Sequence, residues 1–181
     1  NIYYHNLYLE ILCLSNTRLY RLMAYKKQIK RRGKVAVWET RYSKVLEKHH
    51  GHFAKKVFHR LMKKSATLKA SLKKRSKEYE VVFNITLDEI RELFLKFYGK
   101  KCNFCSDLLL VSNIVCDHKY PVSLGGESTP KNLTIICRRC NTRKGSLTEE
   151  EYTKLLNFVN KQSDNMKNYI LRKLAKGDMF T

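Results

Sequence analysis

Two Cys-x-x-Cys pairs, Cys102/Cys105 and Cys137/Cys140, close the stretch from Lys101 to Ser146, which contains KCNFC, CDHKYPVSLGG and TPKNLTIICRRCNTRKGS. Each pair can chelate from one tight turn, and four thiolates arranged so satisfy a tetrahedral, structural zinc ion. The pairs enclose an Asp117-His118 dipeptide and the amide Asn132, and Asn141 follows the second pair directly. A carboxylate, a histidine and amides held inside such a clamp point to hydrolytic metal chemistry.

Periodicity organises the rest of the chain. Residues 2–14 are apolar and read as a helix or a docking segment. Helical spacing follows over Arg18 to Arg32, with Gly33 as its stop, and again from Val35 to His49 and from Phe53 to Lys77. Near Val81 the character changes. VVFNI is a short β-type run, and Thr86 with Glu89 forms a capping box for a helix up to Gly99. Leu108 to Val111 and Ile114 to Cys116 read as a short hairpin. The apolar run LTIIC leads into the second knuckle and a helix from Arg138. Thr148 with Glu151 caps a further helix through Val159, and a last one spans about 164–176. The domains expected are a basic helical region over 1–80, a site-bearing domain over 81–147, and C-terminal helices over 148–181 that pack on it.

Charge narrows the partner. The chain has 37 Lys and Arg against 16 Asp and Glu, a formal +21, and residues 1–85 hold 21 of the bases but 5 of the acids. A field of one sign on that scale attracts polyanions, and counterion release makes nucleic acid the partner of choice. An anionic membrane fits less well, because no sustained apolar stripe faces the basic residues. No apolar run approaches a membrane span, so a soluble protein is expected. Metal-type cysteine spacing favours an intracellular reducing compartment, whether cytoplasm, nucleoid or organelle matrix. Cys13 and Cys116 lie in apolar surroundings and read as buried free thiols. The sequence begins at Asn1 rather than Met, which suits a fragment or a processed product.

Residues 86–146 resemble the HNH endonuclease family in its ββα-metal, four-cysteine branch. The matching positions are Cys102/Cys105, Asp117-His118, Pro121, Gly125-Gly126, Asn132-Leu133, Cys137/Cys140, Asn141 and Lys144-Gly145. The resemblance implies a small α+β fold: a ββα-metal core stapled by a zinc ion on the four cysteines, preceded by long basic helices and followed by C-terminal ones. It gives His118 the role of general base, Asp117 that of ligand to a divalent cation, and Asn132 that of bracing base and loop. The last signature position is usually His and here is Asn141, a departure found in a subset of the family. The oxygen pair of Asp117 and Asn141 suits Mg²⁺ or Mn²⁺. Family analogy implies products with 5′-phosphate and 3′-hydroxyl ends.

The function this implies is metal-dependent hydrolysis of DNA, most naturally double-stranded, by a mobile-element, phage or restriction-type nuclease. Branched DNA and RNA stay open. Arg138, Arg139, Arg143 and Lys144, with Lys73, Lys74 and Arg75 of the basic tract, are the candidates to hold phosphates. The alternative is a non-catalytic, zinc-stapled nucleic-acid-binding component of a nucleoprotein complex. A homodimer or a larger nucleoprotein assembly is compatible with either.

Overall fold

The computed structural model describes the backbone of residues 2–175 and the side chains of 21–28 and 33–175. The chain divides into two compact units, Asn1–Lys44 and Val45–Thr181. Helix α1, Ile2–His50, crosses that division without a break. The stop expected at Gly33 does not occur. Glycine carries a cost of about 1 kcal/mol in a helix interior but leaves every backbone hydrogen bond possible, so its flanks carry the helix through it. In the first unit Trp38 and Tyr42 are buried, with ring centroids 6.2 Å apart. Cys13 lies outside the described side chains.

The second unit is built around α2, Ala54–Glu78. Its residues Val57, Leu61, Ser65, Leu72 and Ser76 form one buried stripe at helical spacing. Helix α3, Leu87–Phe97, starts at the expected capping box: the Glu89 amide donates to Thr86 Oγ1 at 3.2 Å, and the Thr86 amide to Glu89 Oε2 at 2.7 Å. Its Ile90 and Phe94 pack toward α2. Gly99 ends the segment with φ +71°, and a side chain there would strike the His49 ring.

Strand β1, Ile114–His118, pairs antiparallel with β2, Leu133–Cys137, setting Asp117 opposite Thr134 and His118 opposite Leu133. The hairpin expected between 108 and 116 is replaced by this pairing. Leu108 bridges back to Lys101, and residues 110–113 turn sharply, with the Asn113 amide donating to Leu110 O at 3.0 Å. The β2 run LTIIC is wholly buried, whereas the aliphatic run 108–111 is taken up by the knuckle segment, where Leu109 is buried and exchanges backbone hydrogen bonds with Gly99 and Lys100. Helix α4, Arg138–Lys144, follows β2 directly and packs on both strands. Helix α5, Glu149–Val159, opens on the Thr148/Glu151 capping box, and α6, Asp164–Leu174, completes the described chain. Among the described residues no helix is long and apolar enough to cross a membrane.

Candidate active site and metal centre

The four knuckle thiols converge, with their Sγ atoms all within 4.8 Å of one another and Cys105 to Cys137 at 3.4 Å. Zinc–sulfur bonds of about 2.3 Å in a tetrahedron require sulfur separations of about 3.8 Å, so these residues fit the ion. Cys102, Cys137 and Cys140 are buried and Cys105 is half-buried. Hydrogen bonding with Cys140 pulls the Cys102 thiol down to about 4, while the same bond pushes Cys140 strongly up and burial raises Cys137 to about 11. Four thiols this close can all ionise only around a cation. Cys137 ends β2 and also caps α4, its sulfur accepting from the Cys140 amide at 3.4 Å.

The second centre lies where β1 ends. Val115 to His118 border a cavity of about 450 Å³, whose other walls come from Lys64 and Arg75 of α2, Phe94 of α3 and Asn141 of α4. Asp117 and His118 alternate along the strand, yet both reach this cavity. His118 is 4% exposed, and its Nε2 lies 3.0 Å from Ser128 Oγ, which in turn accepts from Ser76 Oγ at 2.7 Å. Burial lowers the imidazole pKa to about 4, with the positive charges of Arg75 and Lys144 adding to the effect. The ring is therefore neutral at pH 7 and can accept a proton.

Burial raises the Asp117 carboxyl above the ordinary carboxylate range, against the pull of Lys144. The Lys144 ammonium stands 3.0 Å from Asp117 Oδ2, an ion pair lacking the angles of a hydrogen bond, so this buried oxygen has no hydrogen-bond partner. A carboxylate and the Asn141 amide on one cavity are the hard oxygen donors that suit a divalent cation. Cys116, beside them, is partly exposed by area, but its thiol is desolvated and pushed up to about 12.

Asn132 braces the connection between the strands. Its Oδ1 accepts from the Tyr120 amide at 2.9 Å, and its Nδ2 donates to Tyr120 O at 3.0 Å and Glu127 O at 2.8 Å. Gly126 lets that loop close: a Cβ there would fall on the carbonyl oxygens of Tyr120 and Pro121.

Residues 102–147 match the HNH endonuclease family. No curated protein is similar enough to the chain to match it. The HNH segment therefore carries a nuclease-type, metal-binding signature and implies nucleic acid as its substrate. Its β1–β2–α4 unit with a four-cysteine cluster is the small mixed fold expected.

The candidate phosphate ligands scatter. Arg75 alone of the seven lines the cavity, with its Nε buried and unpartnered. Arg138 is exposed at the start of α4, and Lys73 and Lys74 are exposed on α2 outside the cavity. Arg139 pairs with Asp107 at 2.8 Å beside the zinc knuckle. Arg143 is half-buried with its Nε enclosed. Lys144 lies elsewhere than expected: it is 2% exposed, donating to His118 O at 3.0 Å as well as facing Asp117. Sequence reasoning missed the Ser76–Ser128–His118 chain and the part of Lys64. Their only sequence signal is helical spacing on α2, which does not say what the helix packs against.

Proposed function

We propose that the chain is a metal-dependent endonuclease that hydrolyses DNA phosphodiester bonds, with His118 as general base. The observation that carries this reading is the convergence of the buried Asp117 carboxylate, a neutral His118 and Asn141 on one cavity. Nε2 of His118 is engaged with the Ser128 hydroxyl, and in the tautomer protonated at Nε2 it is Nδ1 that takes a proton from water. The water oxygen bonds to phosphorus, the bond from phosphorus to the 3′ oxygen breaks, and the leaving oxygen takes a proton from solvent to become a 3′-hydroxyl. Asp117 and Asn141 would hold Mg²⁺ or Mn²⁺, which would neutralise charge growing on the phosphate. Arg75 faces the same charge from α2, and Asn132 keeps the base-bearing strand and its loop in register. A zinc ion held by the four cysteines would fix the start of α4, and with it Asn141, to the turn that carries Cys102 and Cys105. A reducing compartment keeps those thiols free to bind it.

The test is supercoiled plasmid incubated with Mg²⁺ or Mn²⁺ and the wild-type chain, beside His118→Ala, with zinc content measured in both. Nicking or linearisation that drops by about 10²–10⁴ in the zinc-loaded variant is expected. Binding without cutting by both proteins, on plasmid, branched DNA and RNA, would leave a zinc-stapled binding component instead.

A further inference from the structure

Helix α2 has a second stripe beside its buried one. Lys56, Arg60, Lys64, Leu68, Ser71 and Arg75 recur at intervals of three or four residues, so they share a face. Three concavities adjoin along this face. Lys64 and Leu68 line both the catalytic cavity and a groove bounded by Arg60, Lys63, Thr67 and Ser71. Arg60 and Lys63 in turn line a third hollow that reaches Lys56 and His52. The only acidic residue of α2 is Glu78, at its last position. Among the described residues no carboxylate lies within ion-pair distance of Arg60, Lys63, Lys64 or Arg138. Lys64 is half-buried, and its pKa is lowered by burial and then by Arg138 and Arg60, as expected where cations converge without a counter-charge.

We infer that this face of α2 is the track for one flank of a DNA duplex, engaging its phosphate backbone on one side only of the scissile bond. The inference rests on the nuclease reading and adds the path and the asymmetry. A converging set of cations with no internal counter-charge is satisfied by a polyanion, and the groove's continuity with the cavity puts that polyanion in line with Asp117 and His118. From Lys56 to Arg75 the helix rises about 28 Å, the length of about 8 base-pair steps. Lys69 and Lys77, on a different face of α2, and Lys161, just after α5, line none of the three concavities and serve as the control.

Two triple variants remove equal charge: Arg60→Gln/Lys63→Gln/Lys64→Gln from the groove, and Lys69→Gln/Lys77→Gln/Lys161→Gln from outside it. Affinity for a fluorescent DNA duplex is measured against salt, with a footprint around the cut. The groove variant is expected to lower the slope of log affinity against log salt by about 2–3 and to shorten the footprint on one side, with the control near wild type. Equal loss in both variants, or a footprint shortened on both sides, overturns the track. Where the wild type cuts DNA and the two variants bind alike, the track fails and the nuclease stands. Where it binds with the groove-specific slope but never cuts, the track stands and the nuclease fails.

Discussion

Lys144 Nζ stands 3.0 Å from Asp117 Oδ2 and 3.0 Å from the His118 carbonyl oxygen, so one buried ammonium ties together the two neighbours that carry the proposed chemistry. It sits on α4, 26 residues along the chain, and pins the end of β1 to that helix. A lysine this deep is tolerated only because a carboxylate and a carbonyl meet it.

Removing it should be costly. Lys144→Met leaves Asp117 buried without its cation and the His118 carbonyl without a donor, a loss of about 3–5 kcal/mol. Thermal unfolding should show a large drop in Tm. Adding Asp117→Asn should recover part of that drop, because the stranded charge is gone; strict additivity of the two losses would disprove the coupling.

Asn132 invites a subtler comparison. Asn132→Asp keeps the acceptor for the Tyr120 amide but loses both donations, to Tyr120 O and Glu127 O. Unpairing those carbonyls costs about 1–3 kcal/mol. With the loop loosened beside the base, kcat for plasmid nicking should fall more than KM rises. A variant matching wild type in both stability and kcat would remove Asn132 from the site.

How much of this was legible beforehand follows the range of the signals. The capping boxes at Thr86 and Thr148, the zinc knuckles and the run LTIIC are local patterns, and each appears where spacing placed it. The partner of β1 was not legible, because a short strand beside a turn looks like half a hairpin until a better-buried partner is known. Gly33 was misread as a stop, since glycine lowers helix propensity without forbidding helix. The fate of Lys144 was hidden for a different reason: its Arg143 neighbour and a surface-like helix suggest solvent, and only the packing of α4 on β1 reveals burial. Ser76 falls on the buried stripe of α2, but nothing in the sequence pairs it with Ser128, 52 residues away.

The thiol cluster makes a prediction about composition and folding together. The purified chain should hold one zinc per molecule, and a strong chelator should abolish the cooperative unfolding of residues 102–147. Cys102→Ser should reduce zinc occupancy and lower Tm. A chain that keeps its Tm after the metal is stripped would deny zinc its part in the fold.

His50 sets an acid sensitivity. Its Nε2 lies 2.7 Å from the Tyr98 hydroxyl, which also accepts from the Val111 amide at 3.2 Å and feels the charge of Arg60. Burial and then the charge of His49 hold the His50 pKa below its ordinary 6.5. Below about pH 6.5 the unfolded chain therefore takes up a proton that the folded chain resists, and stability falls as pH falls. Unfolding measured from pH 7.5 to 5 should show this decline together with the larger one from His118, whose pKa is lowered to about 4, so that His50→Gln removes only the smaller part. Glu89, whose carboxyl is lowered by its Thr86 hydrogen bonds, weakens the fold in the same direction at still lower pH.

Residues 75 and 76 are consecutive on α2, yet one lines the reaction cavity and the other begins the hydroxyl relay to His118. Both precede the family segment by more than a full helix. The ββα unit in this protein is thus not a portable cassette. A graft beginning at Cys102 would carry the proposed metal ligands and the proposed base but leave behind Arg75, which lines their cavity, and Ser76, which reaches His118 through Ser128.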